Sequence, residues 1–490
     1  MACSVTASIL RSMFVRRLPY IIYRAYPNTG YLTDNRNFGY DTASKSCLKV
    51  GDMLLSKEGS VFYSLLDNYY KSVDEIAREL TKIFHGADYE MLLEDAAVFY
   101  RELAAKGFVS VSDDGKDSSC QSSYFSYQNR ESCILDIEQE GEADYRKIFE
   151  GNYSLSRVHI DISSRCNEEC VHCYIPKKNK CSMMSADVFD NVLKQCKKLN
   201  VLNITLSGGE PMLNPFFKSF LLRCVEANFS VNVLSNLSCL TDEILEVLAS
   251  NPLIGVQTSM YAMDANVHDS ITQRHGSFKK TYEAIMKLHA QNVPMQINCP
   301  IMKQNVTTYR DVLNFAASLN IEASADYGLF GCYDSSGCNL GCRISPIQME
   351  EILSEDYEDE STFRETVRAI ESKKVHNDDP ICSVCKSSLC VANNGDVYPC
   401  EGWQKMVLGN VNRESLKYIW EELPLTNQLR ALRYRDFAEC SACMNRKYCT
   451  ICLIMNANES DNDYMRVNPY MCEMAKIKRD AVEKCSKWRR

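Results

Sequence analysis

The first quarter of the chain has the hydrophobic spacing of a small α+β module. Between Tyr89 and Lys106, apolar residues recur every three or four positions, the pattern of a helix with one buried face. Ser72, followed by Asp74 and Glu75, predicts the start of the helix before it. In chain order we predict strands at Tyr20–Tyr26 and Asn37–Thr42, helices at Glu58–Tyr70, Val73–Phe84 and Tyr89–Lys106, and a strand at Gly107–Val111.

From residue 157 onward, strand-like and helix-like segments alternate. Strands are predicted at Val158–Ser163, Asn203–Ser207, Ser230–Ser235, Gly255–Tyr261, Met295–Pro300 and Ala323–Leu329. Helices are predicted between them at Ala186–Leu199, Phe216–Ala227, Thr241–Ala249, Phe278–Gln291 and Tyr309–Leu319. Because parallel strands need crossover helices, this alternation predicts an α/β region with a parallel sheet, open or curled into a partial barrel. Ligands of such sheets bind at the C-terminal ends of the strands.

The composition is that of a large globular protein. Of 490 residues, 45% are apolar and 24% charged, and 55 Lys plus Arg against 64 Asp plus Glu give a formal charge of −9. At about 150 residues per domain, the length predicts two to four domains. The acidic balance argues against non-specific binding of nucleic acid. Neither a long apolar run nor a secretory signal is recognisable, so we expect no membrane span and a cytoplasmic location.

Cysteine is the outlier of the composition, with 25 residues. Such a number is typical of a secreted disulfide protein or of an intracellular metalloprotein. The odd count leaves at least one thiol without an intramolecular partner. Together with the missing secretory signal, this favours the metalloprotein.

Cys166, Cys170 and Cys173 follow the first predicted strand of the α/β region, in the sequence SSRCNEECVHCY. Three thiolates so close together in one loop are expected to bind a single metal centre. A four-iron cluster with three protein ligands leaves one iron open for a small molecule. A zinc site needs a fourth ligand, for which His172 is the near candidate.

This Cx3Cx2C motif, followed by the aromatic Tyr174, resembles the signature of radical S-adenosylmethionine (SAM) enzymes. The resemblance implies that the three cysteines hold a 4Fe–4S cluster whose open iron binds the amino and carboxylate groups of SAM. Ser207, Gly208, Gly209 and Glu210 end the second predicted strand and resemble the GGE motif, which contacts the SAM amino group in that family. Further SAM contacts are implied at Tyr174, Asn236 and Ser259.

A second cysteine pattern fills the C-terminal region. Gly395 lies five residues before Cys400, and two residues separate Cys449 from Cys452. The pattern resembles the SPASM domain, although that family usually has three residues at the latter spacing. The resemblance implies two auxiliary 4Fe–4S clusters, with zinc sites as the alternative. The distal cluster would be bound by Cys440, Cys443, Cys449 and Cys472, and the proximal one by Cys382, Cys400, Cys452 and a fourth ligand.

Cys385 and Cys390 compete for the fourth position of the proximal cluster. Asn394-Gly395 predicts a two-residue hairpin turn, which would pair Cys400 with Leu389. Because side chains alternate across a strand, Cys390 would then point away from Cys400, and Cys385 is favoured. A position left open for substrate, as in some relatives, is the remaining alternative.

Cys332, Cys338 and Cys342 have no assigned role at this point. A further site and reactive thiols near the active site are both conceivable. Unliganded cysteines in a loop are the favoured interpretation.

The N-terminal module is similar to the PqqD-like element, a winged-helix module that captures leader peptides of ribosomally made precursors. Recognition would use β-augmentation, in which an extended peptide adds to an exposed strand edge. The alternatives are a DNA-binding winged helix, which the acidic character disfavours, and a purely structural cap.

The resemblances divide the chain into five regions. We predict a leader-recognition module at 18–112, a linker at 113–152, a partial (β/α)6 radical SAM barrel at 153–345, a bridging region at 346–380 and an SPASM domain at 381–490.

The implied activity is that of a radical SAM peptide maturase. Reductive cleavage of SAM would produce a 5′-deoxyadenosyl radical, which abstracts hydrogen from a precursor peptide. A cysteine thioether crosslink is the expected product by family frequency; carbon–carbon crosslinking, epimerisation and sulfatase-maturating oxidation are the alternatives. A non-catalytic iron–sulfur electron carrier or peptide-binding scaffold is the alternative of another class. The implied partners are the precursor peptide and an electron donor such as flavodoxin or ferredoxin.

Overall fold

The N-terminal module consists of two small antiparallel sheets and three helices. The computed structural model describes residues 11–40, 50–116 and 153–488. Strands β1–β6 span Phe14–Arg17, Ile21–Tyr26, Thr29–Asp34, Met53–Leu55, Lys71–Ser72 and Val109–Ser112. Helices α1–α3 span Lys57–Ser64, Val73–Ile83 and Tyr89–Ala105. The sheets have the strand orders β2-β3-β4 and β5-β1-β6. Strand β1 begins before residue 18, the predicted start of the module, and it pairs with the closing strand β6.

Local signals in the sequence account for α2 and α3. The Ser72 hydroxyl accepts a hydrogen bond from the Glu75 N–H, and the Glu75 carboxylate accepts one from the Ser72 N–H, which forms the capping box of α2. The predicted apolar face of α3 is buried. These two helices pack on the strands to form the core of the module.

Two predicted elements of the module differ from the structure. The first helix ends at Ser64, although it is predicted to reach Tyr70. The strand predicted at Asn37–Thr42 is wrong over the described residues: Asn35–Asn37 is a single 3-10 turn. The Asp34 side chain accepts the Arg36 N–H, and this local hydrogen bond ends β3 and turns the chain. Residues 41 and 42 lie outside the described residues, as do Cys120, Cys133 and most of the predicted linker.

The second region is a six-stranded parallel sheet with helices between the strands. Strands β7–β12 span Arg157–Ser163, Asn203–Gly208, Ser230–Leu234, Ile254–Ser259, Met295–Pro300 and Glu322–Asp326. Helices α4–α9 span Ala186–Lys198, Phe217–Glu226, Asp242–Ser250, Ala265–Thr272, Ser277–Ala290 and Tyr309–Ser318. The six strands pair in chain order, which confirms the predicted α/β architecture. Helix α7 is an addition to the predicted pattern.

The C-terminal region continues the same sheet. Strands β13–β15 span Ser388–Val391, Asp396–Tyr398 and Gly409–Asn410. Helices α10–α16 span Pro346–Asp356, Glu360–Ser372, Leu416–Glu421, Pro424–Ala431, Ala438–Ser441, Leu453–Glu459 and Pro469–Trp488. Strand β13 pairs in parallel with β7 and is followed by β14 and β15, so one nine-stranded sheet joins the two regions. Across the described residues, no helix has both the length and the apolar character needed to cross a bilayer.

The hairpin between β13 and β14 has a different register from the predicted one. Cys390 pairs with Tyr398 and Val391 with Val397, so the loop contains three residues rather than two. Gly395 takes the left-handed conformation there, with φ of +87°. The shift of one residue places Cys390 on the same face of the hairpin as position 400. The turn argument against Cys390 is therefore wrong.

The N-terminal module packs against the N-terminal ends of the parallel strands. The Tyr23 N–H donates to the Asn228 side chain at 2.9 Å, and the Arg24 Nε donates to the Val201 carbonyl at 2.8 Å. Ile22 is buried together with residues of the same loops. The module thus covers the end of the sheet opposite to the loop that carries Cys166.

Candidate active site

The loop after β7 brings three thiols close enough together to affect one another's pKa values. Cys166, Cys170 and Cys173 are half-buried in it. Burial raises the pKa of Cys166 to about 12, while burial, Glu168 and the other two cysteines raise the pKa of Cys170 well above its usual value. Burial alone would lower the pKa of Lys180, but the three thiolates outweigh it and raise that pKa. Such thiols ionise only with a compensating cation, and this donor set fits an iron–sulfur cluster.

The imidazole of His172 is not placed as a fourth metal ligand of the cysteine loop. Its ring packs against Tyr261, with ring centroids 5.2 Å apart, and Nε2 lies 3.4 Å from the Tyr261 hydroxyl. Burial lowers the pKa of His172 to about 4, so the ring is neutral at pH 7. The geometry therefore favours three cysteine ligands in the loop.

Gly208 and Gly209 lie directly against the backbone of the cysteine loop. A Cβ on Gly208 would lie 1.9 Å from the Ser163 carbonyl oxygen, and one on Gly209 would lie 2.4 Å from that of Arg165. Gly208 also has φ of +127°. The Gly209 N–H donates to the Ser163 carbonyl at 2.6 Å. The glycines are thus required by the close approach of the second strand to the loop.

Glu210 ties the ends of β8 and β9 together. Its buried carboxylate accepts hydrogen bonds from the Met212 N–H at 3.0 Å, the Ser235 hydroxyl at 2.8 Å and the Asn236 N–H at 2.9 Å. Burial raises the pKa of Glu210 to about 7 in spite of these donors. The carboxylate thus organises the two loops, while the backbone of the motif borders the cysteine loop.

Asn236 extends this contact to the third strand. Its side-chain NH2 donates to the Asn167 side chain at 3.0 Å and lies 3.9 Å from Cys166 Sγ. Ser207 and Ser259 are buried or half-buried strand residues that border the same end of the sheet. Tyr174 follows the last cysteine, with its ring 6.2 Å from that of Phe330. The structure thus gathers Gly208, Gly209, Glu210 and Asn236 at the loop by a continuous set of contacts.

A cavity of about 530 Å³ opens beside the loop. Asp161, Ser163 and Gly208 contribute from the parallel strands, and Tyr398 contributes from the C-terminal hairpin. Tyr333 lines a further wall. The cavity therefore lies between the cysteine loop and the C-terminal cysteine region, and its volume suits a segment of a few residues.

Four C-terminal cysteines form a second electrostatic group. Burial raises the pKa of Cys440 to about 12, and the charges of Cys472, Cys449 and Cys443 add to this shift. Cys472 comes from α16, far along the chain from the others. The set predicted for the distal cluster is therefore assembled in one place.

The remaining cysteines of the region divide into two environments. Burial, Glu401, Cys452 and Cys382 raise the pKa of Cys400, so the three cysteines predicted for the proximal cluster are within reach of one another. Cys385 is fully buried at φ of +54°, and its carbonyl accepts a 2.6 Å hydrogen bond from Arg430 Nε. Burial and Cys382 raise the pKa of Cys385 to about 12 against the opposing charge of Arg430. Cys390 Sγ lies 3.8 Å from Asp161 Oδ2, and burial, Asp161, Glu401 and Cys400 raise its pKa, so Cys390 also lies near one of the proximal ligands.

Comparison with known families identifies both cysteine regions. Residues 160–316 match the family described as the radical SAM superfamily, and residues 382–444 match the SPASM family, described as an iron–sulfur cluster-binding domain. The chain combines a radical SAM domain with an SPASM domain. The two domains imply SAM and 4Fe–4S clusters as cofactors. Cys449, Cys452 and Cys472 lie beyond the matched part of the SPASM domain.

Similar proteins differ in how much of the chain they cover. The AdoMet-dependent heme synthase of Methanosarcina barkeri is 24% identical over 334 residues, which cover 63% of this chain and 94% of that protein. The subtilosin biosynthesis protein AlbA of Bacillus subtilis is 25% identical over 325 residues, which cover 65% of this chain and 70% of AlbA. The structure of Streptococcus suis SuiB bound to its precursor peptide SuiA has a TM-score of 0.56 at 17% identity, covering 92% of this chain and 98% of SuiB.

The three unassigned cysteines of the radical SAM domain separate in the structure. Cys332 Sγ and Cys338 Sγ lie 3.4 Å apart, whereas Cys342 Sγ contacts the Asn339 carbonyl. The Cys332 thiol also contacts the Cys173 carbonyl, at 3.5 Å. Two of these thiols thus form a pair beside the cluster loop.

We expect iodoacetamide to label Cys338 before Cys332. Burial raises the pKa of Cys332 to about 11, while hydrogen bonds from Ser336 and Cys332 lower the pKa of the exposed Cys338. The thiolate is the reactive form, so Cys338 reacts faster near neutral pH. Pulse labelling followed by peptide mass spectrometry measures both rates, with the exposed Cys181 as a reference. Equal labelling of Cys332 and Cys338 would contradict this assignment.

Proposed function

We propose that this protein is a radical SAM maturase that installs a cysteine thioether in a ribosomally made precursor peptide. The observation that carries the proposal is the cavity between the radical SAM domain and the SPASM hairpin, since a peptide segment there contacts residues at both ends of the cysteine loop, Ser164 and Ile175, and the hairpin residues Asn394 and Tyr398. AlbA takes part in subtilosin biosynthesis, and SuiB binds a precursor peptide, which supports peptide chemistry. The likeness to SuiB also extends over more of the chain than the match to the heme synthase.

In this proposal Cys166, Cys170 and Cys173 hold the cluster that binds SAM. When bound, the reduced cluster and SAM together would supply a 5′-deoxyadenosyl radical by one-electron reduction of SAM. The backbone of Gly208 and Gly209, packed against Ser163 and Arg165, shapes the SAM pocket beside the loop. Further SAM contacts come from Tyr174, Ser207, Asn236 and Ser259.

Two auxiliary 4Fe–4S clusters complete a set of three. Cys440, Cys443, Cys449 and Cys472 hold the distal cluster. Cys382, Cys400 and Cys452 hold the proximal one, with Cys385, whose pKa Cys382 raises, as the fourth ligand and Cys390, whose pKa Cys400 raises, as its competitor. A flavodoxin or ferredoxin donates the electron in the cytoplasm, where the thiols stay reduced.

The N-terminal module captures the leader of the precursor by β-augmentation. It lies at the N-terminal ends of the parallel strands, while the cavity lies at the C-terminal end. A strand of six residues, as in β8, is about 20 Å long. The peptide therefore needs a spacer of at least about six extended residues between leader and modified segment.

Deletion of residues 1–112 tests the role of this module. The full chain and the deletion variant are each co-expressed with a candidate precursor peptide, taken from short open reading frames next to the gene, and the peptide is analysed by mass spectrometry. We expect the full chain to introduce a thioether, seen as loss of two hydrogen atoms and of one alkylatable cysteine. The deletion variant is expected to leave the peptide unchanged.

The ability of the deletion variant to cleave SAM without peptide serves as its folding control. A variant that still forms 5′-deoxyadenosine but no crosslink supports leader recognition. Full modification by the deletion variant would refute it and favour a structural cap. A loss of two hydrogens without loss of the thiol would favour a carbon–carbon crosslink or sulfatase-maturating oxidation of a serine instead, whereas the same oxidation of a cysteine would exchange its sulfur for oxygen.

A further inference from the structure

Three potential metal ligands share one face of two paired strands. His159 and Asp161 are two residues apart in β7, so their side chains point the same way. Cys390 of β13 is the cross-strand partner of His159. The alternating residues Val158 and Ile160 point to the opposite face, where they join the hydrophobic core beneath the helices. The three polar side chains are therefore directed towards the cavity side of the sheet.

The ligand atoms of this group are close together and shielded from solvent. His159 Nε2 lies 3.1 Å from Asp161 Oδ1, and Cys390 Sγ lies 3.8 Å from Asp161 Oδ2. The potential ligand atoms of all three side chains lie within 4.8 Å of one another. Asp161 is 8% exposed and Cys390 is 0% exposed, and Asp161 also lines the cavity.

The surroundings of this group favour a cation. Over the described part of the chain, the ion-pair partner of Asp161 is His159, and neither a lysine nor an arginine pairs with it. Glu401 adds a further negative charge near Cys390 and His159, and the Cys400 thiol also lies near Cys390. Burying a carboxylate and a thiol together is unfavourable unless a positive charge compensates them. A divalent cation bound to one carboxylate, one thiolate and a neutral imidazole gives a site without net charge.

We propose that His159, Asp161 and Cys390 bind one zinc ion, separate from the iron–sulfur clusters. Nitrogen, oxygen and sulfur ligands together are typical of zinc, and three protein ligands are the number found in zinc sites that keep an open position. Zinc–ligand bonds of about 2.0 to 2.3 Å in a tetrahedron place neighbouring ligand atoms roughly 3.3 to 3.7 Å apart. The separations of 3.1 and 3.8 Å involve different oxygens of Asp161, and all three ligand atoms lie within 4.8 Å of one another. The side chains therefore have to move together to reach the tetrahedral geometry, without any change in the pairing of the strands.

Asp161 lines the cavity, so an open position of this zinc would be reached from the cavity. Water fills it in the absence of substrate. If the proposed function holds, a cysteine thiolate of the precursor peptide is the group that replaces the water, because zinc binds thiolates at neutral pH and lowers their pKa. The site would then hold the sulfur that becomes the thioether.

Metal analysis of the holoprotein tests the site without any peptide. The anaerobically purified protein is reconstituted with iron and sulfide, incubated with zinc chloride and passed over a gel-filtration column. Zinc and iron are then counted by mass spectrometry for wild type, His159→Ala, Cys390→Ala and Cys196→Ala. Cys196 is the matched control, since it is an equally buried thiol in the hydrophobic core of α4.

We expect about one zinc per chain in wild type and Cys196→Ala, and loss of that zinc in the other two variants, with iron unchanged in all four. The zinc X-ray absorption spectrum of wild type should show one sulfur at about 2.3 Å and nitrogen or oxygen at about 2.0 Å. This spectrum decides the question even if the variants fold poorly.

Absence of zinc from wild type would overturn the proposal. So would a zinc spectrum dominated by sulfur, because zinc would then occupy the cysteine clusters. Loss of about four irons from Cys390→Ala with zinc unchanged would instead assign Cys390 to the proximal cluster. None of these results depends on peptide modification, so failure of the proposed function is distinguishable from failure of this site.

Discussion

Replacing Cys170 with alanine is expected to abolish cleavage of SAM and to lower the iron content by about four atoms per chain. Cys170 is the middle thiol of the Cx3Cx2C motif, and burial, Glu168 and the neighbouring thiols raise its pKa well above the usual value. Two remaining thiolates do not hold the cluster. Iron analysis and chromatography of 5′-deoxyadenosine, after anaerobic reconstitution with SAM and a reductant, measure both effects.

The Cys196→Ala variant provides the control for this experiment. Cys196 is buried in the same domain, but it packs among the apolar residues beneath the sheet. Its replacement removes one small buried group and is expected to cost about 1 kcal/mol, with iron and activity retained. Wild-type iron and activity in the Cys170→Ala variant would show that the loop does not hold the SAM cluster.

The second large effect is expected for Gly208→Ala, which should leave little folded protein. The new Cβ would lie 1.9 Å from the Ser163 carbonyl oxygen, so the β8 end and the cysteine loop would have to separate. The φ of +127° adds further strain for any residue with a side chain. We expect a destabilisation of more than about 4 kcal/mol, measured as soluble yield and thermal midpoint.

Gly276→Ala is the matched control for Gly208→Ala. Gly276 also has a positive φ, of +78°, but a Cβ there would meet no atom within 4 Å. This variant isolates the cost of the left-handed backbone, about 1 to 2 kcal/mol. Similar melting of the two alanine variants would mean that the contact with Ser163 does not restrict the site.

The sequence predicts the parallel sheet well because its signals are local. Alternating apolar strands and amphipathic helices mark each unit, and the order of pairing follows the chain order of the strands. The position of the cysteine loop follows from the same rule, since it directly succeeds the first strand. The GGE residues are recognisable in the sequence, but their role as a packing surface for the loop emerges only from the distances.

The site formed by two domains is less predictable. The pairing of β13 with β7 joins residues more than two hundred positions apart, and no local pattern specifies it. The loop of the β13–β14 hairpin contains one residue more than the Asn394-Gly395 signal predicts, which reverses the expected orientation of Cys390. His159 and Asp161 do leave a signal, because they alternate with the apolar residues Val158, Ile160 and Ile162 of the strand. Without the neighbouring strand, that signal does not identify a ligand set.

The most direct test of the central claim follows a hydrogen atom from peptide to nucleoside. A candidate precursor peptide, taken from short open reading frames next to the gene, is prepared with deuterium at its carbon-bound positions and incubated anaerobically with the reconstituted protein, SAM and a reductant. If the protein is a radical SAM peptide maturase, the 5′-deoxyadenosine will contain deuterium and the peptide will carry a new crosslink. Deuterium-free 5′-deoxyadenosine together with an unchanged peptide would contradict the account.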